Sequence, residues 1–193
     1  MRKQYIHYGN NRFDIDIFKE KQSNAIDNSC LNKPPYGFWA SPVGSDYWTW
    51  REWCESEDWH TDRLDTYFKF TLTKKARILT VRKREDIFPY LVKNTRLSGC
   101  VLDFDKIMSK YDGMELIHGK RYNELHYNEF YSWDVDSIVI WNPYIIVPMS
   151  SSDFTSRSRR ILIEIANKMT RSDSNNLTER LILGDIKSNT EFP

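Results

Sequence analysis

The run Ser137-Ile138-Val139-Ile140-Trp141 is the strongest strand signal in the chain, and it constrains the fold more than any other feature. Its β-branched and aromatic residues are typical of a buried strand. Asn142-Pro143 ends the run, because proline has no backbone N–H to donate to a sheet. We expect the strand to resume over residues 144–147 and to stop at Pro148.

Shorter strand and helix patterns surround this run. Alternating or β-rich stretches predict strands at residues 4–9, 37–41, 66–72, 77–81 and 114–117. Helical spacing of apolar residues predicts helices at 46–58, 84–93, 103–110, 159–169 and 176–187, with loops at 19–35 and 118–134. The pattern is α+β: one domain over residues 1–150, with a helical C-terminal extension over residues 151–193 packed on it.

Charge and cysteine content exclude several classes of protein. The formal net charge of +1 provides no global field that would attract nucleic acid or a membrane. No apolar run approaches the roughly 18 residues of a membrane span, and the N-terminus lacks an apolar signal region. The cysteines are odd in number and far apart in sequence, at Cys30, Cys54 and Cys100. We therefore expect a cytoplasmic protein without a disulfide framework.

Familiar cofactor motifs are absent from the sequence. His60, His118 and His126 have no mutual ligand spacing, so no metal site is expected. Phosphate-loop, dinucleotide-binding and nucleophile-elbow glycine motifs do not occur.

Tryptophan is concentrated in one stretch of the chain. Five of the seven tryptophans fall between residues 39 and 59, at Trp39, Trp48, Trp50, Trp53 and Trp59. Aromatic side chains fill cores, but they also build stacking sites for flat ligands. We expect Trp53 and Trp59 to be core residues, and Trp39 with Tyr47 or Trp50 to contact a ligand.

Three separated segments carry groups suited to chemistry. His7 lies on the first predicted strand, where an imidazole can orient a hydroxyl. Trp39 lies in Gly37-Phe38-Trp39-Ala40-Ser41-Pro42, ahead of an aromatic helix. Asp134 and Asp136 precede the central strand, and a period of 2 predicts that both carboxylates share one face. The alternatives without a functional role are that His7 is an ordinary strand histidine, that Trp39 and its aromatic neighbours are core residues, and that Asp134 and Asp136 are turn residues at the end of a strand.

Taken in order, these segments resemble the ADP-ribosyltransferases of the diphtheria-toxin and poly(ADP-ribose) polymerase class, which use a His–Tyr–Glu triad. The resemblance covers roughly residues 4–148 and implies split β-sheets around an NAD⁺ cleft. It implies that His7 binds the nicotinamide ribose and that the backbone at Tyr8 and Gly9 meets the carboxamide. Trp39 takes the triad tyrosine position, within a strand that also brings Gly37 and Ser41.

The same resemblance assigns the remaining roles. Tyr47 or Trp50 stacks on the second face of the nicotinamide. Asp136 stabilises the cationic ribose, and Asp134 acts on the acceptor side. The sequence departs from the family pattern in three ways: Tyr8 separates His7 from Gly9, tryptophan replaces tyrosine, and aspartate replaces glutamate. The shorter acid makes mono-ADP-ribosylation the expected reaction rather than chain synthesis.

The resemblance leaves the biological role open. Small members act on protein, DNA or RNA as toxins of toxin–antitoxin or phage-defence systems, or as phage-encoded modifiers, so an antitoxin partner is one expectation. NAD⁺ hydrolysis and a catalytically inactive nucleotide- or partner-binding module are the alternatives. Basic residues of the first C-terminal helix favour a solvated face over a nucleic-acid contact: Arg157, Arg159, Arg160, Lys168 and Arg171.

Overall fold

A computed structural model describes residues 2–16, 32–93, 100–119, 129–150 and 154–172, with side chains of the last helix described to residue 165. The predicted helix at 176–187, most of the two predicted loops, Cys30 and His126 lie outside the described residues. The strands are β1 Gln4–Tyr8, β2 Phe38–Pro42, β3 Tyr67–Leu72, β4 Ile78–Val81, β5 Leu91–Lys93, β6 Cys100–Leu102, β7 Gly113–Leu116, β8 Ser137–Ile140 and β9 Ile146–Pro148. The α-helices are α1 Trp50–Ser56, α2 Phe104–Met108 and α3 Ser156–Ser172, and 3₁₀ helices span Thr61–Arg63, Arg84–Tyr90 and Pro143–Ile145.

Seven strands form one mixed sheet in the order β4-β7-β8-β2-β1-β3-β9, and β5 pairs with β6 in a second, two-stranded sheet. All neighbours are antiparallel except β4 and β7. The α+β class predicted from the sequence is therefore what the chain adopts.

Strand β2 joins two halves of the large sheet. Its first residues, Phe38 to Ala40, pair with β8, whereas Ser41 and Pro42 pair with β1. Only two residue pairs therefore join β1 to β2, and the strands separate beyond Ile6. This separation opens a gap in the sheet next to His7 and Trp39.

The central strand β8 is buried on both faces, as its sequence predicted. Val139 points into one core, with Val81, Leu116 and the helices on that side. Ile138 and Ile140 point into a second core on the opposite face, built around the phenylalanines of β2 and β3. Alternation along the strand thus supplies both cores from one short segment.

Two predictions about local structure were wrong. Residues 143–145 form a 3₁₀ helix, because the Asn142 side chain accepts a hydrogen bond from Tyr144 N and Pro143 starts the turn. The strand therefore resumes only at Ile146. The helix predicted at 84–93 ends at Tyr90 as a 3₁₀ helix, and the chain then forms β5, which pairs with the unpredicted strand β6.

The start of α3 packs on the second core. Ser158 is fully buried, and its hydroxyl accepts a hydrogen bond from Ile15 N at 2.9 Å. Ile161 and Leu162 pack against the phenylalanine-rich core, and Arg157 pairs with Asp16 at 2.7 Å. None of the helices in the described ranges has the length and apolar character needed to cross a membrane.

Candidate functional site

A cleft of about 590 Å³ opens where β1 and β2 separate. It is within the size range of small-molecule and cofactor sites. Its walls come from β1, β2, α1 and the segment that leads into β8. The lining residues are Ile6, His7, Tyr8, Lys33, Pro34, Trp39, Ala40, Ser41, Trp50, Trp53, Trp59, Ser132, Trp133, Asp134, Val135 and Ser137.

Two indoles form one wall of the cleft. The Trp39 and Trp133 rings meet edge to face, with centroids 4.6 Å apart. Trp133 is buried, and its Nε1–H donates a 3.0 Å hydrogen bond to the carbonyl oxygen of Asn32. A buried, hydrogen-bonded indole holds its partner ring in place, so Trp39 presents a fixed aromatic surface.

Helix α1 supplies another wall. It begins with a capping box between Thr49 and Glu52, and the Ser41 hydroxyl accepts a 3.3 Å hydrogen bond from Trp50 N. The Trp50 and Trp53 rings stack with centroids 5.0 Å apart. Strand β2 thus fixes the position of the helix through Ser41.

The core role predicted for Trp53 and Trp59 was wrong. Both residues line the cleft, and Trp59 is 51% exposed. Helix α1 is only seven residues long and Cys54 is its one buried residue, so its tryptophans remain at the cleft. Between residues 50 and 65, the buried apolar side chains are Cys54 and Leu64.

His7 bridges the two separating strands. Its Nδ1–H donates a 2.8 Å hydrogen bond to the carbonyl oxygen of Trp39, in the gap where the ladder between β1 and β2 has ended. Nε2 is then the acceptor, and Asn10 Nδ2 lies 3.3 Å away. Burial lowers the pKa of His7, and the Trp39 carbonyl opposes that shift only in part. The ring is therefore neutral near pH 7, with a lone pair on Nε2.

Stability should fall at mildly acidic pH because of His7. Its folded-state pKa lies below the ordinary value of 6.5, so the unfolded chain takes up the proton first. The free energy of unfolding should decrease as the pH falls through 6.5 and level off below the folded-state pKa. Urea unfolding at several pH values measures this, and the slope should be smaller in His7→Gln. An unchanged slope would contradict a neutral, half-buried His7 with a lowered pKa.

The two acidic residues before β8 do not share one face. Strand β8 begins only at Ser137, so the alternation expected for Asp134 and Asp136 does not apply. Asp134 lines the cleft. Asp136 is 2% exposed and is not among the lining residues. Its carboxylate accepts hydrogen bonds from Ser45 Oγ at 2.5 Å and from His118 N at 2.6 Å.

Lys33 provides a cation inside the cleft. Its Nζ lies 5.8 Å from the centroid of the Trp39 ring, a cation–π distance. Burial lowers the pKa of Lys33, and the nearby Asp134 carboxylate partly opposes this shift. The cleft thus holds one basic and one acidic group beside the aromatic wall.

The other residues named from the sequence divide between cleft and scaffold. Tyr8, Ser41 and Trp50 line the cleft, whereas Gly9, Gly37 and Tyr47 are not among its lining residues. Gly9 ends β1 with a φ of +93°, a left-handed conformation that favours glycine.

Packing explains the remaining two scaffold residues. A Cβ at Gly37 would collide with the Val139 side chain, so this position requires a glycine for close packing of β2 on β8. The Tyr47 ring lies 5.8 Å from the His118 ring, on the side of the buried Asp136 carboxylate.

Several lining residues received no role from the sequence patterns, among them Lys33, Trp133 and Ser137. Trp133 stands directly before Asp134, and an indole next to a carboxylate could have indicated a site. Lys33 carries no such signal, because it lies in a predicted loop and reaches Trp39 only through the fold.

In the described part of the chain, no group of three or more histidine, cysteine, aspartate or glutamate side chains could hold a metal ion. Comparison of the chain with protein-family models, with curated proteins and with solved structures found no match.

Proposed function

We propose that the chain binds NAD⁺ in this cleft and transfers ADP-ribose to a macromolecule. One observation carries the proposal. His7, Trp39 and Asp134 come from segments far apart in sequence, yet they line one cleft across the adjacent strands β1, β2 and the entry to β8. They supply an acceptor for a ribose hydroxyl, an aromatic surface and a carboxylate.

Binding uses the aromatic wall first. The nicotinamide ring of NAD⁺ is flat and cationic, and it replaces the Lys33 ammonium over the Trp39 indole. Nε2 of the neutral His7 accepts a hydrogen bond from a hydroxyl of the attached ribose, in place of the one from Asn10 Nδ2. Lys33 stays near Asp134 and is available to an NAD⁺ phosphate.

The chemical step breaks the bond between the nicotinamide nitrogen and C1 of the ribose. The bonding electron pair leaves with nicotinamide, which becomes neutral, and C1 gains oxocarbenium character. The Asp134 carboxylate stabilises that positive charge. A nucleophilic atom of the acceptor then bonds to C1 and releases its proton to solvent. In this assignment Asp134 takes the role that the resemblance gave to Asp136, and Asp136 fixes the local structure through Ser45 and His118.

The test uses NAD⁺ labelled on its adenylate half, incubated with the protein and with cell protein, DNA or RNA in separate reactions. Label on one macromolecular fraction supports transfer and identifies the acceptor class. Free ADP-ribose without a labelled acceptor would mean that the reaction is NAD⁺ hydrolysis and not transfer. Intact NAD⁺ in every reaction, together with no NAD⁺ binding, would overturn the proposal.

Loss of the Trp39 ring should weaken NAD⁺ binding. Trp39→Ala should raise the Kd for NAD⁺ about 10- to 100-fold, the usual cost of removing one aromatic stacking partner. Trp48→Ala is the matched control, because Trp48 lies in the same tryptophan-rich stretch but does not line the cleft. Titration calorimetry measures both variants. Equal affinities would place the nicotinamide elsewhere.

A further inference from the structure

An aromatic surface continues from the cleft to the outside of the molecule. Trp59 lines the cleft and is 51% exposed. Tyr8 also lines the cleft, and its ring meets that of Tyr67, 44% exposed, at a centroid distance of 6.1 Å. These three residues form what we call the aromatic rim. Exposed aromatic side chains beside a cleft are typical of a surface that receives a partner.

The segment beside this rim is strongly acidic. Residues 51–65, which include most of α1 and Trp59, hold six acidic and two basic side chains, a net charge of −4. The acidic residues are Glu52, Glu55, Glu57, Asp58, Asp62 and Asp65, and all of them are exposed. Such a surface repels a phosphate backbone and attracts cationic groups.

One cationic side chain of the protein already lies on this surface. The guanidinium of Arg51 lies 5.7 Å from the centroid of the Tyr8 ring. It also donates hydrogen bonds to Asp65 Oδ1 at 3.2 Å, to Glu55 Oε1 at 3.3 Å and to the Leu64 carbonyl at 2.6 Å. An aromatic face with surrounding carboxylates is thus already arranged around one guanidinium.

We propose that the aromatic rim and its acidic segment bind a protein segment rich in arginine or lysine. This inference rests on the proposed function, and it makes that cationic protein the ADP-ribose acceptor. Side chains of the bound segment stack on Trp59 and Tyr67 and pair with carboxylates of residues 51–65. The segment then lies across the mouth of the cleft, where C1 of the ribose is presented.

The first test measures binding without catalysis. Fluorescence anisotropy follows a labelled arginine–serine peptide, a glutamate–serine peptide and single-stranded DNA and RNA of similar length. We expect the basic peptide to bind at least tenfold more tightly than the other three, with an affinity that falls as salt is raised. Tighter binding of an oligonucleotide than of the basic peptide would overturn the inference.

Reversing charges within residues 51–65 tests whether this acidic segment forms the peptide-binding surface. Glu57→Lys with Asp62→Lys should raise the Kd of the basic peptide about tenfold, and Trp59→Ala should raise it several-fold. The matched control, Glu85→Lys with Asp105→Lys, makes the same charge change at exposed positions outside residues 51–65 and should leave the Kd within about twofold. Equal effects of the two double variants would overturn the inference.

NAD⁺ consumption separates this inference from the proposed function. If charge reversal abolishes peptide binding but the protein never consumes NAD⁺, the aromatic rim remains a binding surface for basic peptides. The transferase activity and the role of the bound protein as acceptor would then both be overturned. If the protein consumes NAD⁺ but charge reversal does not change peptide binding, only the role of the aromatic rim as the peptide-binding surface would be overturned.

Discussion

Replacing Asp134 by asparagine should lower the rate of ADP-ribose transfer about 100- to 1,000-fold, the usual loss when one preorganised electrostatic contact to a developing charge is removed. The carboxylate lines the cleft, so it is placed to face the positive charge at C1 of the ribose. An amide of the same size keeps the shape of the wall but removes the charge. The rate is measured as nicotinamide release and as labelled acceptor, at saturating NAD⁺.

Asp136→Asn is the matched control for Asp134→Asn. Asparagine at 136 can still accept a hydrogen bond from His118 N, and the Ser45 hydroxyl can turn to accept from the amide. We expect transfer by this variant to stay within about tenfold of the original rate, a loss below that of a direct charge contact. Strong loss in a folded Asp136→Asn, with little loss in Asp134→Asn, would return the charge-stabilising role to Asp136.

Removing the Asp136 side chain entirely should destabilise the protein by about 2 to 4 kcal/mol. Asp136→Ala leaves the buried His118 N–H without its acceptor, which costs about 1–3 kcal/mol, and removes the hydrogen bond of the half-buried Ser45 hydroxyl, which costs about 1 kcal/mol. Urea unfolding followed by tryptophan fluorescence measures the change.

Two further variants check the cause. Asp136→Asn should lose clearly less free energy of unfolding than Asp136→Ala, because it keeps an acceptor at the same place. Ser45→Ala removes a single hydrogen bond and should cost about 1 kcal/mol. An Asp136→Ala variant as stable as the original protein would contradict the structural role and would favour a carboxylate kept for chemistry.

The secondary structure was largely predictable because its signals are local. The apolar run at residues 137–141 formed β8, and the patterns at residues 4–9 and 66–72 formed β1 and β3. Period-2 and helical spacing depend on neighbouring residues alone. One failure arose where a short-range contact overrode the pattern, when the Asn142 side chain capped a 3₁₀ turn ahead of β9. The other arose where residues 91–93 paired with β6 instead of continuing a helix.

Site membership was only partly predictable. His7, Tyr8, Trp39 and Trp50 were named from sequence and do line the cleft. Lys33 was not named, because its approach to Trp39 depends on the path of a loop.

The α+β class, the central buried strand and the three segments that carry an imidazole, an indole and paired carboxylates all follow from sequence patterns. Which of those groups face a common cleft depends on how the chain folds. Asp134 and Asp136 are identical side chains two residues apart, and only the late start of β8 separates a cleft carboxylate from a buried one. Side-chain direction at the end of a strand depends on where pairing begins, and pairing is a contact between distant parts of the chain.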